Sequence, residues 1–161
     1  MTITVGIDPG ITGAVGVLKD GQYMAVFDIP SVAKGSGTVK REIEPSGLAR
    51  EITANTDAKE YCEVLLERVS AMPGQGVSSV FSFGDSYGCC RSVIAVLGYP
   101  VALVTPAVWK KYFNLSRDKE ESRALAIRLF PTAAHMMNLK RHSDRAEALL
   151  MSRYLWEVKY K

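Results

Sequence analysis

Three short runs of β-branched and apolar residues, set apart by tight-turn signals, fill the first 30 residues and commit the chain to an antiparallel meander. Thr2 to Asp8 is the first strand. Gly10 and Gly13 punctuate the turn into a second run, Ala14 to Leu18. Asp20-Gly21 is a strong two-residue hairpin signal, and Tyr23 to Ile29 supplies the third strand. Lys34 to Thr38 is polar and Gly/Ser-containing, as a loop would be, and Pro45 to Ile52 fits a short helix that starts at a proline. A buried strand, Cys62 to Glu67, follows, with Val101 to Val104 as its companion. The stretch Ser78 to Leu97 between them is long enough to be the helix of a parallel crossover. Pro106 to Phe113, Lys119 to Phe130 and Ser143 to Val158 read as three more helices. The expectation is an α/β fold: a mixed five-stranded sheet, three strands antiparallel and then two parallel, flanked by helices.

At 161 residues, 47% of them hydrophobic, the chain can bury the core of one domain spanning 1–161, and it has no internal repeat. Its balance of 20 Lys plus Arg against 17 Asp plus Glu is compatible with a nucleic-acid partner without demanding one. Cys62, Cys89 and Cys90 have neither disulfide-framework nor zinc-site spacing, which fits a reducing cytoplasm. No basic leader with an apolar run and no apolar segment of about 18 residues is visible, so a soluble, unsecreted protein with no membrane association is expected.

The acids are where the chemistry concentrates. Asp8 ends the first strand and Glu67 the fourth, so parallel neighbours would bring both carboxylates to one sheet edge, where ligand sites collect. Asp144 and Glu147 stand three apart in the last helix and share a stripe with Met151, Leu155 and Val158. If that stripe packs on the sheet, Glu147 is aimed inward, which is costly unless a positive partner meets it. All-oxygen ligands without a His or Cys cluster favour Mg2+, with Mn2+ as a substitute, over zinc. Two such ions held by shared carboxylates, with Asp8 bridging, suit phosphodiester hydrolysis, where entering and leaving oxygens both carry charge. Alone, each acid has a plainer account as a turn residue, a solvated rim charge or a helix-dipole partner; their convergence is what favours a metal centre. His142, just outside the helix, reads as a capping or surface residue that could also reach a metal or the attacking water.

Lys110, Lys111, Arg117 and Lys119 cluster about the turn between two helices, with Trp109, Tyr112 and Phe113 interleaved, as in a phosphate-contacting surface. The aromatics are assigned mainly to the core. Arg68 and Arg141 adjoin the acids and could steer DNA toward them, while Lys34, Lys40 and Arg41 could close over a second arm. Gly84 and Gly88 sit four apart in the long helix at about 1 kcal/mol each relative to alanine, which calls for a close partner helix or a bend.

Taken together, Gly6-Ile-Asp-Pro-Gly10 with Thr12-Gly13, Leu65-Leu-Glu-Arg-Val69 and Asp144-Arg-Ala-Glu-Ala-Leu149 resemble the RuvC family of Holliday junction resolvases, in order and spacing across nearly the whole chain. The middle motifs, Gly74-Gln-Gly-Val77, Phe83-Gly84, Tyr87-Gly88, Thr105-Pro106 and Trp109-Lys110, look most like the phage and prophage branch. The resemblance implies an RNase H-like fold and a homodimer making paired incisions across a four-way DNA junction, each leaving a 5′-phosphate and a 3′-hydroxyl. The setting it implies is a bacterial or phage-infected cell. It places Asp8, Glu67, Asp144 and Glu147 in the four metal-binding positions and Lys119 near the scissile phosphate. It also makes the helix bearing Phe81, Gly84 and Gly88 the dimer interface. Glu147 stands where many relatives have Asp, and Val69-Ser-Ala-Met72 stands where well-studied bacterial members place a base-stacking aromatic. Two alternatives stay open: a nuclease for other branched DNA or RNA, and a structure-specific DNA-binding protein of the same fold that does not cleave. The Gly6 to Gly13 segment also resembles the phosphate loop of actin-like and sugar-kinase ATPases, but those need two such domains, and no nucleotide cofactor is expected here.

Overall fold

A computed structural model describes residues 1–36 and 40–161. The meander forms as expected: β1 (Thr2–Asp8), β2 (Ala14–Lys19) and β3 (Gln22–Asp28) pair antiparallel in succession. At the second turn Asp20 and Gly21 both have positive φ, 48° and 76°, the geometry that suits a two-residue hairpin to the twist of its strands. Sequence reasoning did not see the small hairpin that follows, β4 (Ser31–Ala33) with β5 (Arg41–Ile43). Three-residue strands are too short to carry an alternation signal. The loop expected at Lys34 to Thr38 is the tip of that hairpin as far as Ser36; Gly37 and Thr38 lie outside the described residues.

After α1 (Pro45–Ala54) come β6 (Tyr61–Glu67), the long α2 (Val77–Leu97) and β7 (Val101–Val104). α2 runs through Gly84 and Gly88 as one continuous helix. The chain then forms α3 (Pro106–Tyr112), α4 (Lys119–Leu129), two short 3-10 segments at Pro131–Met136 and Lys140–His142, and α5 (Ser143–Lys159). Among the described residues, a five-stranded sheet has the order β3-β2-β1-β6-β7, with β6 parallel to both β1 and β7. The parallel pairing of Ile7 with Leu66 sets the strand ends Asp8 and Glu67 side by side.

Alternation along the strands divides the interior into two cores. One face of the sheet, including Ile3, Val5, Ile7, Val64 and Leu66, packs with Leu48 and Ile52 of α1 and Cys90, Val93 and Ile94 of α2. The opposite face, including Leu18, Val26 and Leu65, packs with Leu149, Leu150, Met151 and Leu155 of α5 and with Trp109 of α3. Val158 is half exposed, so the expected apolar stripe on α5 stops at Leu155. A heptad-spaced stripe drifts around an α-helix by about 20° per repeat and leaves the sheet by the last turn. There Lys159 and Tyr160 instead donate to the buried carboxylate of Glu63.

α5 lies unusually close to the sheet because it crosses a cross-strand pair of glycines, Gly6 and Gly16. A Cβ on Gly6 would fall 2.2 Å from the Ala148 carbonyl oxygen, and one on Gly16 would fall 2.6 Å from the Leu149 nitrogen. Both obstacles are backbone, which cannot rotate away. Gly6→Ala or Gly16→Ala should therefore cost about 1–3 kcal/mol of stability through forced retreat of the helix. Urea unfolding would measure it, and an unchanged midpoint for either variant would show that the seating is not tight.

Candidate active site

The close seating of α5 brings its first turns to the strand-end edge. Asp8 from β1 and Asp144 and Glu147 from α5 each place a carboxylate oxygen within 4.8 Å of the others. Asp8 and Asp144 are partly buried, and Glu147 is only 4% exposed. Glu67 belongs to the same neighbourhood electrostatically but stays outside that tight group, and its Oε2 accepts from the Trp109 indole N–H at 2.9 Å.

Burial first, then the charges of Glu67, Asp144 and Glu147, push the Asp8 carboxyl well above its ordinary range, with Lys119 opposing. Glu67 is raised by burial, against the Trp109 hydrogen bond that favours its charged form; Glu147 adds to the rise. Two ammonium groups answer part of this negative charge. Lys119 Nζ donates to Asp144 Oδ1 at 2.7 Å, and Lys110 Nζ lies 3.2 Å from Glu147 Oε1. Burial works against the Lys119 ammonium, but the hydrogen bond and charge of Asp144, with Glu147 and Asp8, outweigh it and raise its pKa. Ser122 Oγ, one turn along α4 from Lys119, donates to Glu147 Oε1 at 3.5 Å. The donor set is hard oxygen, inward-facing and electrostatically crowded, which fits a small divalent cation.

The other residues singled out from sequence are distributed as follows. Arg68 and Arg141 are exposed and flank the acids in sequence. Lys111 and Arg117 line an open cleft of about 530 Å³ beside α3, to which Lys110 also contributes. Phe81, 73% exposed, Gly84 and Gly88 sit on α2, and a Cβ at either glycine would meet nothing within 4 Å. His142 is neither a surface residue nor part of the acid group; it is buried, and its Nδ1 accepts from the Leu139 N–H.

Sequence reasoning missed the hydrogen bond of Trp109 to Glu67, the inward turn of Lys110 and the role of Ser122. Gly6 and Gly16 carried a usable signal, since glycine inside a strand marks close backbone approach. Trp109 carried none, because its partner is 42 residues away.

Comparison with solved structures agrees with this architecture. A Thermus thermophilus RuvC in complex with a Holliday junction substrate superposes with a TM-score of 0.60 at 16% identity, covering 99% of this chain and 97% of that one. The fold is RuvC-like. A second Thermus thermophilus RuvC structure matches with a TM-score of 0.50 at 16% identity, over 97% of this chain and 96% of the other. No protein-family model and no curated protein matches the sequence. The RuvC neighbours and the five-stranded mixed sheet make this an RNase H-like α/β fold. No helix among the described residues is long and apolar enough to cross a membrane.

Two expectations follow from the site. Because Asp8 is raised in the folded protein, the metal-free fold loses stability as pH climbs from its ordinary value of 3.8 through the raised one, where the unfolded chain has already released the proton. In EDTA at pH 7, Asp8→Asn should thus melt above the parent, with the gap shrinking toward acid pH, while Mn2+ should stabilise the parent alone. An Asp8→Asn protein that melts lower in EDTA would show the acid is not strained. Separately, a double-mutant cycle of Trp109→Phe with Glu67→Leu, which removes the acceptor, should return a coupling of roughly 1–3 kcal/mol for the hydrogen bond to a charged acceptor. Additive losses would mean the indole does not hold Glu67.

Proposed function

We propose that this chain is a metal-dependent endonuclease that resolves four-way DNA junctions by paired, symmetric phosphodiester hydrolysis, using two divalent cations per centre. The observation that carries this reading is the convergence of Asp8, Asp144 and Glu147 at one edge of a RuvC-like fold, with Glu67 beside them. Mg2+ is the natural occupant and Mn2+ its substitute, given oxygen donors alone. Bound there, such ions supply Lewis acidity for water activation and for charge on the departing oxygen. Asp8, Asp144 and Glu147 would hold these ions, and Glu67, oriented by the Trp109 indole, would be positioned to join them. Lys119 is exposed and tethered to Asp144, so it can turn from that carboxylate to a phosphate oxygen and offset charge in the transition state.

DNA reaches the acids over the cations around them. Arg68, Lys111, Arg117 and Arg141 meet backbone phosphates, and Lys110, placed against Glu147, stands where a strand approaches the centre. Symmetric cutting needs two centres. The α2 face with exposed Phe81 and the open space over Gly84 and Gly88 suits a homodimer interface. The middle motifs favour the phage and prophage branch, acting in the cytoplasm, with one nuclease domain over 1–161 and no nucleotide cofactor.

Incubating a labelled mobile four-way junction with Mg2+ or Mn2+ should give paired nicks with 5′-phosphate and 3′-hydroxyl ends. Asp8→Asn and Glu67→Gln should reduce incision to background while leaving junction binding largely intact. Lys119→Ala should slow incision by roughly 10²-fold, the size seen for loss of one charge-stabilising donor. Random nicking of duplex, or wild-type rates in Asp8→Asn, would sink the reading; binding without incision would point to a non-cleaving junction protein.

A further inference from the structure

Next to the acidic centre, β3, the β4–β5 hairpin and the turn before α5 border a separate open cavity of about 410 Å³, lined in part by Arg41, Arg141, His142 and Arg145. Strand register fixes its position. Asp8 pairs with Ala14 and Ala14 with Asp28, so Asp28, which lines the cavity, lies two strand spacings, about 10 Å, from Asp8 along the same edge. Directly paired residues share a sheet face, and here it is the face that carries α5.

The polar groups of this cavity are mostly donors with capacity to spare. Both oxygens of Asp28 are taken up by Arg145, at 2.8 Å from Nε and 2.9 Å from Nη2, and Arg145 Nη1 also donates to the Met136 carbonyl. Arg41 is braced on Ser31, Nε to Oγ at 2.8 Å and Nη2 to the carbonyl at 2.7 Å, which leaves Nη1 and the Ser31 hydroxyl proton uncommitted. Arg141 makes no hydrogen bond or ion pair among the described residues. His142 is only 9% exposed, and its Nδ1 accepts from the Leu139 N–H. The proton of the neutral ring therefore sits on Nε2, where no described residue accepts it. Three guanidinium charges against one already paired carboxylate, with free N–H and O–H donors, make a receptor for a tetrahedral oxyanion.

We propose that this cavity binds a backbone phosphate of the DNA strand that crosses the acidic centre, a neighbour of the scissile one, and so sets the strand's register at Asp8. The strand assignment rests on the nuclease reading above; the anion site does not.

The test has two arms on the full chain. In the first, inorganic phosphate is titrated while NMR follows the His142 imidazole and the arginine side-chain N–H signals. Saturable shifts are expected in the parent and should vanish in Arg41→Ala/Arg141→Ala. In the second, affinity for a labelled four-way junction is measured against salt in EDTA. The double variant should flatten the log–log slope by about 1, the contribution of one phosphate contact, and Arg141→Ala, which breaks no hydrogen bond among the described residues, should flatten it part of the way. The remote Lys59→Ala should leave it unchanged. Phosphate that moves no cavity signal overturns the anion site whether or not the protein cuts DNA. Shifts with an unchanged junction slope overturn the strand assignment and leave a site for free phosphate. A parent that binds no junction refutes the nuclease reading and the strand assignment together, while the phosphate arm still decides the cavity.

Discussion

The structure depends on one close approach: the backbone of α5 rests on the paired glycines of β1 and β2, with no side chain between them. A hydroxyl pair sets the helix along its axis, since buried Ser152 meets both the hydroxyl and the carbonyl of Thr4. With height and axial position fixed, the first two turns of α5 must arrive at the end of β1. Asp144 and Glu147 thereby come within reach of Asp8, although their positions in the chain differ by well over 100 residues.

That convergence concentrates like charge in a partly dry pocket, where it is costly. The surrounding groups offset the cost unevenly. Asp144 has Lys119, Glu147 has Lys110 and Ser122, and Glu67 has the Trp109 indole, whereas burial and the neighbouring acids push Asp8 toward its neutral form. A divalent cation is the partner that would relieve Asp8 and its neighbours at once. Under the proposed function, the basic side chains that balance the acids would also favour approach of a polyanion to this edge.

The edge extends beyond the acids. On the β3 side it continues into the arginine- and histidine-lined cavity, and on the α3 side into the cleft with Lys111 and Arg117. The acidic centre is thus flanked on both sides by clefts lined with basic side chains. The element that shapes one end is the β4–β5 hairpin, whose Arg41 is held by Ser31 of the same hairpin.

The sequence by itself determined the features that long or strongly patterned segments carry: the meander and its Asp20-Gly21 turn, the proline-started helices, the parallel crossover and the acids at strand ends, but not the β4–β5 hairpin, whose strands are three residues each. Alternation, helical period and turn chemistry are local, so they can be read without the fold. Tertiary structure decided which groups meet. That Asp8 joins Asp144 and Glu147 more tightly than Glu67, that Lys110 turns inward, that His142 is buried with a spare donor, and that Val158 leaves the sheet are outcomes of packing between distant segments. Such contacts are set by the height and angle at which one helix lies on a sheet, and no pattern within a short window of residues specifies either.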